Sequence, residues 1–107
     1  MQQNDLYQLL VSTGLDVYLY KADKPVSPCY VVYFRDGTTS RGSDDKNFIR
    51  NDSYIVEFYS DKRDEENQRK IESVLDSAGI NYKTNEIYLQ DKSLYMVAFY
   101  FDITRKV

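Results

Sequence analysis

The sequence predicts an α+β fold of two layers, a mostly antiparallel sheet of about four to five strands with two helices packed on one face. Three observations lead there. The hydrophobic period changes twice between Tyr54 and Leu89, from two to helical and back to two, as a strand, a crossing helix and a returning strand require. The elements read in order as helix, strand, strand, long loop, strand, helix, strand, strand, which favours pairing between sequence neighbours. Each helix carries a one-sided apolar stripe, and such a stripe must lie on a sheet.

Residues Asn4 to Thr13 read as a short amphipathic helix, with Leu6, Leu9 and Leu10 on its buried side, Val11 at its margin and Asn4 or Asp5 as cap. Gly14 ends it. Leu15 to Lys21 alternates as a strand, Leu15, Val17 and Leu19 against Asp16, Tyr18 and Tyr20. Pro25 and Pro28 bracket a connection that cannot be a central strand, because proline has no amide to donate. Cys29 to Phe34 is a second strand, apolar on both faces, which implies cover on both sides or an interface. Thr38 to Asp52 is polar, with Phe48 and Ile49 as its large apolar residues, and reads as a long loop, either one that becomes ordered on assembly or a plain mobile one.

Tyr54 to Tyr59 is the third strand, with Tyr54, Val56 and Phe58 facing one way and Ile55, Glu57 and Tyr59 the other. Ser60 or Asp61 then caps a helix over residues 62–78, with Asp64, Glu65 and Glu66 at the positive end of its dipole. Ile71, Val74, Leu75 and Ala78 form its stripe. Gly79 can take the left-handed conformation that closes a helix, with Ile80 folding back on Leu75. Asn81 to Leu89, the break at Gln90 to Ser93, and the run from Leu94 onward read as an antiparallel hairpin. In the last strand Tyr95, Val97, Phe99, Phe101 and Ile103 make one apolar face, yet Met96, Ala98 and Tyr100 opposite are not polar either. Left bare, that second face would be an apolar patch of the kind that marks contact surfaces.

The 107 residues suit one domain, 1–107, with 42% hydrophobic and 29% charged content and no linker-like stretch. The N-terminus lacks the basic and apolar regions of a signal peptide, and no segment approaches the roughly 20 apolar residues of a membrane span. The single Cys29 fits a reducing compartment. Fourteen basic and 17 acidic residues give a formal charge of -3 with the signs interleaved, a poor footprint for gripping phosphate backbones.

The chain has 11 Tyr, 5 Phe, no Trp and no His. Without histidine the commonest general base and metal ligand are both missing. Asp64, Glu65 and Glu66 are explained by the helix dipole, and Asp44 with Asp45 lacks the glycine, spacing and terminal glutamate of a calcium loop. No serine sits in a glycine-flanked elbow, and Gly37 with Gly42 is not a phosphate loop. No catalytic residue, metal site or cofactor is therefore expected, and the chain is not expected to be an enzyme.

The stretches PCYVVYFRDGTTSRGSDDKNF, NDSYIVEFYSDKRDEENQRKIESVL and AGINYKTNEIYLQDKSLYMVAFYFDI resemble the small tail completion, or head-tail joining, proteins of siphophages and prophages. The shared features are an aromatic-Val-Val-Tyr strand after proline, a Gly/Ser/Asp-rich loop, an aromatic strand ending in Tyr59-Ser60-Asp61-Lys62, an acidic helix start and the Ala78-Gly79-Ile80 stop, over Pro28 to Ile103. The resemblance implies an α+β subunit of a ring that caps the head-proximal end of the tail tube and docks it to the head. Implied partners are further copies of the chain, the tail tube protein and the head connector, with DNA passing through unread and no membrane involved. The expected location is the virion, after synthesis in the bacterial cytoplasm.

A small phage regulatory or inhibitory protein-binding module is the alternative expectation. The expected assembly interface takes Arg41, Asp44, Asp45, Phe48 and Ile49 from the loop, and Tyr33, Ile55, Tyr59, Met96 and Tyr100 from the strands.

Overall fold

A computed structural model describes residues 3–22, 29–41 and 49–106. Its elements are α1 (Gln3–Val11), β1 (Asp16–Leu19), β2 (Tyr30–Arg41), β3 (Ile49–Ser60), α2 (Glu65–Ser77), β4 (Lys83–Leu89) and β5 (Leu94–Lys106). The strands form one five-stranded sheet in the order β1-β2-β3-β5-β4. The β1–β2 pair is parallel and the others antiparallel. This is the expected α+β class.

Helix α2 starts and stops for local reasons, whereas the expected α1 caps Asn4 and Asp5 lie inside that helix. At α2 the Asp64 carboxylate accepts from the Asn67 amide at 3.1 Å and from the Asn67 side chain at 2.7 Å. Asp64 is thus the cap, not Ser60 or Asp61, and the helix spans Glu65–Ser77 where 62–78 was expected. Ser60 is unavailable because it is the last residue of β3, paired with Tyr95 and buried. At the other end Gly79 has φ 73, its amide reaches the Asp76 carbonyl, and the Ile80 amide reaches the Leu75 carbonyl, both at 3.0 Å. That is the expected Schellman closure. Helix α1 ends at Val11, two residues short of expectation, and Gly14 at φ 85 turns the chain into β1.

Alternation sorts the strands into two faces. Val31, Tyr33, Tyr54, Val56, Phe58, Val97, Phe99, Phe101 and Ile103 point to the helices, where they bury Leu6, Leu10, Ile71 and Leu75 in one core. Of the expected α2 stripe, Ile71 and Leu75 are buried, Val74 is half-buried and Ala78 is exposed.

The largest departure from the sequence reading is at 38–52. Residues 38–41 and 49–52 are paired strand, with Thr38 opposite Asp52 and Arg41 opposite Ile49, and 42–48 lie outside the described residues. The polar composition conceals strand because this part of the sheet runs on past the core. There β2, β3 and β5 continue as a three-stranded arm, which gives the molecule extents of 50 × 27 × 23 Å.

Inside the arm, Asp52 is 1% exposed. Its carboxylate accepts from the Thr38 hydroxyl and from Arg105 Nε, each at 2.7 Å, so one side chain of β3 ties down both neighbouring strands. Burial acts to raise its pKa, but the hydrogen bonds from Thr38 and Arg105, with the charges of Arg105 and Arg35, outweigh it and hold the carboxyl below its ordinary value.

Candidate assembly interface

Residues of β2, β3, β5 and β4 that point away from the helices share the opposite face of the sheet. No described helix covers it. Register places Tyr30 beside Tyr59, Val32 beside Glu57 and Phe34 beside Ile55. It continues with Ile55 beside Tyr100, Glu57 beside Ala98 and Tyr59 beside Met96. Ile87 of β4 extends the patch beyond Met96.

The rings are ordered on this surface. Tyr30 stacks on Tyr59 at 4.9 Å and 16°, and Tyr18 meets Tyr30 edge-on at 6.1 Å. Tyr20 stacks on Phe34 at 6.4 Å, although Tyr20 itself is 62% exposed. Ala98, between Glu57 of β3 and Asn85 of β4, is fully buried without any described helix above it. Such a surface is rigid, apolar in body and polar at its ring tips, which suits a protein contact.

A carboxylate stands among these rings. The Tyr59 hydroxyl donates to Glu57 at 2.9 Å. Burial first, and then the hydrogen bond and charge of Glu57, push the Tyr59 hydroxyl far above its usual pKa, and burial with the same charge raises Tyr30. Both phenols stay neutral and keep their protons as donors.

The expected interface positions divide. Ile55, Tyr59, Met96 and Tyr100 all lie on the open face, Tyr100 with 40% exposure. Ile49 stands exposed on the arm. Tyr33 does not belong with them: it pairs with Val56 on the helix side, packs on Tyr7 at 6.1 Å and is 4% exposed. Strand parity decides this, since Val32 and Phe34 face outward and the residue between them cannot. Arg41 is in β2, with its side chain outside the described residues, and Asp44, Asp45 and Phe48 lie wholly outside them. Sequence reasoning missed Tyr18, Tyr30, Val32, Phe34 and Ile87. The signal for the β2 members was present in a strand apolar on both faces.

Among the described residues no group of His, Cys, Asp and Glu is arranged to hold a metal ion, and no helix is long and apolar enough to cross a membrane. The Cys29 thiol donates to Asp64 at 3.6 Å, and burial followed by that bond raises its pKa, which disfavours the reactive thiolate.

No protein-family model matches the chain, and no curated protein sequence matches it. Its fold is shared with a chain from the virion of a native gene transfer agent particle, with a TM-score of 0.64 over 95% of this chain and 92% of that one, at 12% sequence identity. A likeness at that identity establishes the fold.

Proposed function

We propose that the chain is a structural protein of a phage-like virion, and that it caps the head-proximal end of the tail tube and joins tail to head as a ring. The observation that carries this reading is the overlap of its fold, over nearly the whole of both chains, with a protein of a gene transfer agent virion. The resemblance of residues 28–103 to tail completion proteins supports the finer position.

The open face supports assembly by self-contact. In a ring each subunit meets its neighbours through two different surfaces, and the contact closes by rotation. An acidic chain of formal charge -3 suits a channel through which DNA slides, because like charge disfavours phosphate binding. In this reading the chain catalyses nothing and offers surfaces to further copies of itself, the tube protein and the head connector.

Electron microscopy of lysates from the parent phage with an early stop codon in this gene tests the reading. Filled heads beside unattached tails are the expected result. Normal virions would remove the protein from the joining step, and a stable complex with a bacterial protein would then identify a regulatory binding module.

A further inference from the structure

Among the described residues the arm has two unpaired edges. β4 pairs with β5 only from Leu94 to Tyr100, whereas β3 accompanies β5 as far as Lys106. The outer edge of residues 101–106 therefore meets no described strand. On the other side β1 pairs with β2 only over Tyr30 to Tyr33, and Tyr20 leaves the line at φ 68 after its amide bonds to the Tyr33 carbonyl. On that side residues 34–41 of β2 likewise meet no described strand.

Long free edges are templates for another strand, and proteins usually blunt them with proline, lysine, short strands or a covering element. Here the β5 edge presents Asp102 and Thr104 and the β2 edge Thr38 and Thr39, with no proline in either strand and with threonine suited to pairing. Beside the β5 edge lies a trough of ≈ 700 Å³, bounded by Ile80, Tyr82 and Lys83 on one side and Phe101 to Thr104 on the other. It continues the line of β4 beyond its first residue. A further strand laid there would prolong β4's line and put alternate side chains into the trough.

We propose that the free edge of β5, residues 101–106, pairs with the free edge of β2, residues 34–41, of a second copy, so that the arms of neighbouring copies join into one continuous sheet. The second copy is the favoured occupant because both halves of the contact lie on one chain at one height. Thr39 and Thr104 are both opposite Asn51, on the same face, and both are exposed.

Strand direction agrees. β2 and β5 each run antiparallel to β3, hence parallel to one another. Copies related by rotation about an axis along the arms would form a parallel β5–β2 pair at every contact. Each such contact is heterologous, and closing the ring leaves no arm edge free. The Tyr33 carbonyl faces β1, and alternation carried through the β2–β3–β5 register turns the amides of Asp102 and Thr104 away from β3, toward the incoming strand.

The inference rests on the ring reading above, and its test separates the two. Phage carrying Thr39→Cys, Thr104→Cys and Cys29→Ser together should yield particles in which mild oxidation links the chain into a ladder of multiples. Particles that contain the chain only as monomer after oxidation would overturn the pairing while leaving the virion role standing. Absence of the chain from particles would overturn the virion role, and the purified protein then decides the pairing. Mixing the Thr39→Cys and Thr104→Cys variants, each with Cys29→Ser, should give disulfide dimers only when both are present, and no dimer at high concentration would overturn it.

Proline provides an independent arm of the test. In the same cysteine-bearing background, Asp102→Pro removes an outward amide and should lower linkage by about tenfold or more with the melting temperature nearly kept, because an edge strand tolerates proline there. Asp102→Ala loses the 2.6 Å bond from the Ser53 hydroxyl but keeps the amide, and should link normally. Equal linkage by the two variants would contradict strand pairing.

Discussion

Replacing Asp52 by alanine should weaken the molecule more than the polar composition around it suggests. The carboxylate is 1% exposed and accepts from Thr38 on β2 and Arg105 on β5, each at 2.7 Å. Its removal leaves the Arg105 guanidinium without a counter-charge beside Ile103, and breaking a buried pair in this way costs about 3–5 kcal/mol. The Arg105 side chain keeps 21% of its surface in water, so the cost belongs at the lower end, about 3 kcal/mol. In a domain of this size that lowers the melting temperature by roughly 10–20 °C. Urea denaturation followed by circular dichroism measures it. Asp52→Ala combined with Arg105→Met should cost less than the sum of the two, because the orphaned charge is gone. A loss below about 1 kcal/mol for Asp52→Ala, or simple additivity, would refute the view that this residue ties the arm together.

The remaining expectations are independent of one another. Asp52 and Asp64 both have folded-state pKa values below their ordinary ones, so their stabilisation is complete above the unfolded carboxylate value and is lost as pH falls through the folded values. Melting temperature should therefore drop on acidification from neutral into the acid range, and Asp52→Asn should drop less steeply. Gly79→Ala should cost about 1 kcal/mol by denaturation: at φ 73 the strain is in the backbone, since an added Cβ meets nothing within 4 Å. Tyr100→Glu, on the open face at 40% exposure, should leave the melt within about 0.5 kcal/mol of the parent and yet reduce plaque formation. Normal plaque counts would argue against that face as a contact.

The legible parts of the fold were those where one local rule acts alone. Gly79 followed by Ile80 specified the helix stop down to its hydrogen bonds, and alternation in Tyr54 to Tyr59 and in β5 assigned both faces correctly. The arm was not legible, because Thr38 to Asp52 has no apolar alternation to betray a strand. It is held by ladder bonds and by a buried carboxylate, whose partner Arg105 lies 53 residues away in sequence. Ser60 failed as a cap for a related reason: pairing with Tyr95 kept it in the sheet. Tyr33 was expected on the interface because its strand is apolar on both faces, whereas the parity of its neighbours puts it under α1. The parallel β1–β2 pair, too, depends on contacts that no local pattern announces.

Gold-labelled antibody against this chain, applied to isolated tails from a phage unable to make heads, tests the proposed position most directly. Label confined to one end of the tube, the end that would meet the head, is the expected result. Label along the tube, at the distal tip, or absent from tails altogether would contradict a protein that caps the tube and joins it to the head.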